Sequence, residues 1–213
     1  MMMSTVDPRH PTREYQPGTV RALLDTDLVT PATRDALRAR LEGRDGRPGR
    51  FFRPGALLAL CAACARLIPQ PRREDPIDVA GCIDQRLADA IGDGWRYDSM
   101  PPDAEAYEAG LAGLDETARL RYGSAFHELE APRQDDVLLA LQRGEAEGKA
   151  WERIPARRFF EELLAESVQF YYSHPLAQEE IGYVGMADAP GWQAIGLDQL
   201  EPREPRAGDL PRA

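Results

Sequence analysis

The stretch PARRFFEELLAESVQFYY, residues 155–172, decides the fold class of this chain. Its large apolar residues recur three or four positions apart, which places them on one face of an α-helix. Pro155 suits a helix start, where its missing N–H costs nothing, and His174-Pro175 stands where a helix must stop. The stretch therefore predicts a long helix from Pro155 to Tyr172 with this apolar stripe: Phe159, Phe160, Leu163, Leu164, Val168, Tyr171 and Tyr172.

Similar signals predict helices along most of the chain. A capping residue or proline precedes an apolar run of helical period, and glycine or proline follows it. No segment shows the alternation of β-branched and polar residues that is typical of a strand. We therefore predict an all-α fold of about six or seven helices in an orthogonal or irregular bundle. The predicted helices lie at 31–41, 54–68, 76–91, about 103–112, about 115–129, about 132–142 and 155–172.

Changes in composition divide the chain into three predicted parts. Residues 1–18 are polar and proline-rich, which is typical of an arm without its own core. Residues 19–175 form the predicted helical domain, which a linker rich in glycine and arginine interrupts at about 43–53. Residues 176–213 are rich in glycine and aromatic residues and are predicted to form an extended C-terminal tail.

The overall composition limits the possible partners. The chain has 213 residues, a formal net charge of −10 and a sequence pI near 4.9. An acidic chain is repelled by phosphate backbones, so we expect no nucleic-acid partner. No apolar run approaches the roughly 20 residues of a membrane span, and the first residues do not form an export signal. We therefore expect no direct membrane insertion and a cytoplasmic location, or a periplasmic one if the start is truncated or a partner carries the chain.

Two motifs contain residue types that can carry chemistry. Cys61 and Cys64 form a Cys-x-x-Cys pair within an apolar helix, where buried packing cysteines are expected and a zinc or redox site is the alternative. Glu161, Glu162 and Glu166 lie on the helix at 155–172, where we expect a solvated face. An acid–base or iron site is the alternative reading of these glutamates, but the histidine that a di-iron bundle requires is missing.

The C-terminal sequence carries a family pattern. YYSHP at 171–175 is followed by GYVGM at 182–186 and GWQAIG at 191–196. This order resembles the ending of the gluconate 2-dehydrogenase subunit 3 family. Shorter pieces of the pattern precede it in order, so the resemblance covers roughly 51–196: FF at 51–52, LIP at 67–69, REDP at 73–76, ID at 83–84 and YEAGL at 107–111. Val184 and Met186 depart from it, because the family often has Tyr-Gly-Gly-Asn there.

The resemblance implies an accessory role. Members of this family are small, non-catalytic subunits that bind a flavin-carrying dehydrogenase of the GMC type. It implies that FAD belongs to the partner subunit, which oxidises a CH–OH group of a sugar, glycoside or polyol and passes electrons to a cytochrome or another acceptor. No catalytic, cofactor-binding or metal-binding residue is then expected in this chain, which also lacks a dinucleotide fingerprint.

The aromatic residues and glycines of the tail are the candidate partner contacts. Aromatic side chains bury a large area, and glycines allow a close approach of the backbone. We hypothesise that the tail lies across the large subunit and buries Trp192 there; alternatively, Trp192 packs onto this chain's own helices. The candidate residues are Tyr183, Gly185, Gly191, Trp192, Ile195, Gly196, Phe160, Tyr171 and Tyr172.

Two other functions remain open at this point. The first is a stand-alone helical protein that binds a metal or redox cofactor through Cys61 and Cys64 or through Glu161–Glu166. The second is an assembly chaperone that leaves once the flavoprotein has matured. The leading prediction is an accessory subunit that stabilises its folded partner by binding only that state.

Overall fold

The computed structural model of the chain describes residues 18–42, 51–92, 99–186, 188, 191–197, 199–202 and 204. These residues form α-helices and two 3-10 turns without a strand, which confirms the predicted all-α fold. The 3-10 turns are Phe126–Glu128 and Lys149–Glu152. The helices are α1 (Thr19–Leu23), α2 (Pro31–Leu41), α3 (Pro54–Leu67), α4 (Val79–Ala88), α5 (Asp103–Tyr122), α6 (Ala131–Arg143), α7 (Ala156–Ser173) and α8 (Pro175–Glu180).

The structure divides into two compact units. Unit 1 comprises the described residues of Met1–Gly43 and Tyr172–Ala213, and unit 2 comprises those of Arg44–Tyr171. The predicted arm lies outside the described residues except for Gly18, and so do residues 43–50 of the predicted linker.

Several helices begin where the sequence predicts. Thr30 caps α2, since its side chain accepts a hydrogen bond from the Thr33 amide, and Pro31 is the first helical residue. Pro54 begins α3 in the same way. The helix α4 begins three residues later than predicted, at Val79, because Asp78 is its cap: Asp78 Oδ1 accepts from the Gly81 amide at 2.8 Å.

The predicted helix boundaries differ most from the observed ones at α5. One helix, α5, runs from Asp103 to Tyr122 through the segment predicted at 103–112 and the first part of the segment predicted at 115–129, and its C-cap is Gly123, which has a φ of 78°. The end of the second predicted segment is a separate 3-10 turn at 126–128. Gly110 and Gly113 do not break this helix; they make room for large rings. A Cβ on Gly110 would lie 2.2 Å from the Phe159 ring, and one on Gly113 would lie 2.6 Å from the Trp151 ring.

The core of unit 2 surrounds α5 and α7. Phe159 is fully buried, and its ring centroid lies 5.7 Å from that of Tyr107 and 6.1 Å from that of Trp151. The Trp151 Nε1 donates to the Thr117 hydroxyl at 2.9 Å, which satisfies the polar edge of the indole. Other fully buried side chains of this unit are Leu60, Ile83, Leu111, Leu114, Phe126, Leu141, Ile154 and Leu163.

Unit 1 has its own smaller core. Apolar residues of α1, α2 and the loop between them pack against two residues of the C-terminal tail, Val184 and Met186. Val184 is 2% exposed and Met186 is 6% exposed. The two residues that depart from the family pattern are therefore core residues of this unit. The remaining members are Val20, Leu23, Leu24, Val29 and Leu37, with Leu41 partly buried beside them.

Candidate partner-binding surface

The tail begins with a helix that the sequence reading omitted. His174, which stands where the sequence predicts that a helix stops, is the N-cap of α8. Its Nδ1 accepts from the Leu176 amide at 3.2 Å, and its Nε2 lies 3.0 Å from the Arg40 carbonyl oxygen. Since Nδ1 accepts, the neutral ring carries its proton on Nε2 and donates it to Arg40. The sequence His174-Pro175 therefore marks the end of α7 and also the start of α8.

Three of the predicted contact residues form one aromatic layer. The Tyr183 hydroxyl donates to the Gly185 carbonyl, and the Tyr183 and Trp192 rings both lie against Gly185. A Cβ on Gly185 would come within 2.5 Å of the Trp192 ring and 3.0 Å of the Tyr183 ring. Gly185 is therefore required because it lets the two rings approach the backbone.

The predicted contact residues differ in exposure. Phe160 and Tyr171 are buried in the structure, so neither presents its ring to a partner there. Tyr172, Tyr183 and Trp192 are each a little under half exposed, while Ile195 is 85% exposed. Gly191 has a φ of 62°, a left-handed conformation that favours glycine. The exposed large apolar residues of the tail, called the tail surface from here on, are Ile181, Tyr183, Trp192, Ile195 and Leu197.

Three buried carboxylates support this tail. Asp188 accepts from the Thr30 amide at 3.1 Å and from the Thr30 hydroxyl. Glu201 accepts from the Ala194 amide at 2.6 Å and from the Gln193 amide. Glu179 accepts from the Gly18 and Arg21 amides at 2.9 and 3.0 Å and pairs with the Arg21 guanidinium at 3.1 Å. Sequence reading missed all three, because no local pattern distinguishes a buried carboxylate in these segments from a solvated one.

The pKa of Glu179 lies below its ordinary value. Burial works against the charged form, but hydrogen bonds from the Arg21 guanidinium and from the Gly18 and Arg21 amides outweigh that effect. A carboxyl with a lowered folded pKa contributes stability that is present above its unfolded pKa. That stability is lost as the pH falls through the folded value.

We therefore expect acid to release α1 from Glu179. The Gly18 and Arg21 amide resonances should shift with a midpoint below about pH 4.5, the ordinary pKa of this carboxyl, in a pH titration followed by NMR. Glu179→Gln should abolish this titration, whereas Glu180→Gln, a change at the exposed neighbour on α8, should leave it intact. A midpoint at or above 4.5 would contradict the expectation.

Unit 2 holds a buried ionic cluster that corrects another prediction. Glu166 was expected on a solvated face, but only 7% of the residue is exposed. It accepts from the Tyr107 hydroxyl and from the Arg86 guanidinium, whose Nη2 lies 3.1 Å from Glu166 Oε2. Arg86 also donates to Asp103 Oδ2 at 2.7 Å and to the Ile91 carbonyl at 2.8 Å. Burial and the Glu166 charge raise the pKa of Tyr107 well above its ordinary value, so the phenol stays protonated and donates.

The two cysteines of the Cys-x-x-Cys motif differ in their exposure. Cys64 is buried, as expected, but Cys61 is exposed. Burial raises the pKa of the Cys64 thiol to about 12, which keeps it protonated at neutral pH. Its sulfur lies 3.7 Å from the Ser167 hydroxyl oxygen. Within the described ranges, no group of three or more His, Cys, Asp or Glu residues is placed to hold a metal ion.

Glu161 on α7 differs from Glu166. Glu161 pairs with Arg157 at 3.0 Å and with Arg158 at 2.6 Å on the surface of the helix. Its pKa is lowered, chiefly by the hydrogen bond from Arg157. The predicted solvated face is therefore correct for Glu161.

Over the part of the chain that is described, no helix combines the length and the apolar character that crossing a membrane requires.

Comparison with known proteins identifies one family. The family model described as gluconate 2-dehydrogenase subunit 3 matches residues 56–196. The match begins within α3 and ends at Gly196, so it includes the aromatic layer and most of the tail surface. No curated protein and no solved structure matches the chain.

Proposed function

We propose that this chain, which belongs to the gluconate 2-dehydrogenase subunit 3 family, is the non-catalytic small subunit of an FAD-dependent dehydrogenase. The partner is a flavin-carrying chain of the GMC type that oxidises a CH–OH group of a sugar, glycoside or polyol. FAD is bound by that partner, and electrons leave through it to a cytochrome or another acceptor. The role of this chain is to bind the folded flavoprotein and so to stabilise it.

The tail surface is the observation that carries this proposal. Trp192 and Tyr183 are each nearly half exposed, although they belong to a segment whose other residues, Val184 and Met186, are buried in a core. Exposed tryptophan and tyrosine on an ordered backbone are typical of the anchors that dominate protein interfaces. Ile195 and Leu197 extend the exposed apolar character beyond the rings.

The contacts within the aromatic layer favour tight binding. A segment that must fold on binding loses affinity to the entropy of ordering, whereas a preformed surface avoids that cost. The aromatic layer is fixed by the Tyr183 hydroxyl on the Gly185 carbonyl and by the packing of Trp192 on Gly185. We expect these contacts to lower the entropy cost of fixing the two rings when the partner binds.

The partner itself is tested by purification of the tagged chain from its native host. We expect a stoichiometric second chain, the flavin absorbance of a yellow protein, and a partner mass that peptide sequencing assigns to the GMC type. A colourless chain that elutes alone would refute the stable-subunit proposal. Stoichiometric metal on that chain would support the stand-alone metal protein instead, and a partner that binds only before it has its flavin would support the transient chaperone.

Trp192→Ala should weaken the complex by at least about 30-fold, because truncation of an interface anchor costs about 2 kcal/mol or more. The measurement is the dissociation constant of the purified complex, by titration calorimetry or interferometry. Leu120→Ala provides the matched control, since Leu120 is an exposed apolar residue of unit 2 outside the tail surface. Equal affinities for Trp192→Ala and the unmodified chain would exclude Trp192 as an anchor.

A further inference from the structure

The backbone around Trp192 is held from its C-terminal side by one buried carboxylate. Glu201 is 5% exposed, and its Oε1 accepts from the amides of Gln193 and Ala194, the two residues that follow Trp192. Two consecutive N–H groups that converge on one point form a concave anion site. The carboxylate of Glu201 fills that site, so it fixes the direction in which the chain leaves Trp192.

The other side of Trp192 is held by backbone contacts. The Gly191 amide donates to the Asp188 carbonyl at 2.9 Å, and the Asp188 amide donates to the Met186 carbonyl at 2.8 Å. These bonds connect the turn at Gly191 to Met186, which is part of the unit 1 core. Trp192 thus lies between a turn fixed to the core and a pair of amides fixed by Glu201.

Glu201 is itself held by a short turn. Its amide donates to Glu204 Oε2 at 2.8 Å, and its carbonyl accepts from the Glu204 amide at 3.0 Å. A buried carboxylate is tolerated only when hydrogen bonds replace its hydration, and the two amides of 193 and 194 do so here. Glu201 lies outside the tail surface and carries none of its exposed area. Its contacts therefore serve the conformation of the surface rather than direct contact with a partner.

We propose that Glu201 is a positioning residue for partner binding, which holds Trp192 and Ile195 in the conformation that the partner recognises. This inference rests on the proposed function. Loss of the carboxylate removes the acceptor that the Gln193 and Ala194 amides share. The backbone at 192–195 then adopts several conformations, and the partner recognises only one of them. The apparent affinity is then the intrinsic affinity multiplied by the fraction of molecules that retain that conformation.

The first test uses the isolated full chain. We expect Glu201→Ala to speed hydrogen exchange of the Gln193 and Ala194 amides, measured by NMR, by at least about tenfold. Glu201→Gln keeps one oxygen that can accept a hydrogen bond and should give an intermediate effect. Amides of the unit 2 core, such as that of Leu163, should exchange as before in both variants, which excludes general unfolding. Unchanged exchange at 193 and 194 would overturn the positioning role.

The second test uses the purified complex. Glu201→Ala should weaken binding of the flavin-carrying partner by about tenfold and leave the thermal transition of the isolated chain within a few degrees of the unmodified one. Glu180→Gln, an exposed change in the same unit, should not alter affinity. If Trp192→Ala weakens the complex and Glu201→Ala does not, the positioning role is wrong while the proposed function stands. If the unmodified chain binds no flavoprotein, the proposed function fails, and the docking role of Glu201 fails with it.

Discussion

Replacement of Arg86 by methionine is expected to lower the free energy of unfolding of unit 2 by about 3–5 kcal/mol, because it leaves the buried Glu166 carboxylate without its counterion. The Arg86 side chain is 10% exposed and that of Glu166 8%. Arg86 connects α4 to Asp103 at the start of α5, to Glu166 on α7 and to the Ile91 carbonyl. Urea unfolding followed by the fluorescence of the tryptophans measures the loss.

A double-mutant cycle separates the ionic interaction from a general packing defect. Glu166→Gln combined with Arg86→Met should cost less than the sum of the two single changes, because the second change removes a charge that the first left unpaired. Glu161→Gln on the same helix is the control and should change the midpoint little, since Glu161 pairs on the surface. An Arg86→Met protein that unfolds at the same urea concentration as the unmodified chain would rule out this role for the cluster.

Phe159→Ala is expected to destabilise unit 2 by a similar amount, about 3–5 kcal/mol, because a large ring is removed from a fully buried position. The ring fills the space that Gly110 leaves on α5 and contacts Tyr107 and Trp151. The cavity would therefore lie where α5 and α7 pack. The same urea measurement applies, with amide exchange of α5 as a local readout.

Val168→Ala supplies the comparison on the same helix. Val168 is 38% exposed, so its truncation should cost well under half as much as that of Phe159. Equal losses of stability for the two variants would contradict the difference in burial between Phe159 and Val168.

Gly110→Ala should also destabilise the unit, since its Cβ would meet the Phe159 ring at 2.2 Å.

Local signals in the sequence were sufficient to predict the fold class and most helix starts. Proline at the first turn of α2 and α3 has a direct physical cause in the missing N–H, so Pro31 and Pro54 were reliable markers. The division of α5 was wrong, because one helix continues from Asp103 to Tyr122 with Gly110 and Gly113 inside it. Their real role depends on Phe159 and Trp151, which lie far along the chain, and no local pattern reports such a contact.

The charged residues were the hardest to place from sequence. Glu161 and Glu166 stand on one helix with the same chemistry, yet one pairs on the surface and the other is buried against Arg86 and Tyr107. The difference comes from partners on other helices, which the period of α7 does not encode. The aromatic tail residues became candidates because a family pattern marked them, whereas Glu201 belongs to no pattern that sequence reading used.

The packing of Val184 and Met186 has a consequence for how this chain can change in evolution. Both lie within the segment that the family model matches, but they pack against α1 and α2, which precede that segment. Substitutions at these two tail positions should therefore be accompanied by compensating changes at Val20, Leu23 or Leu37. Relatives that carry the smaller and more polar tail residues should have N-terminal helices of different shape or none, so the two ends of the chain should vary together across the family.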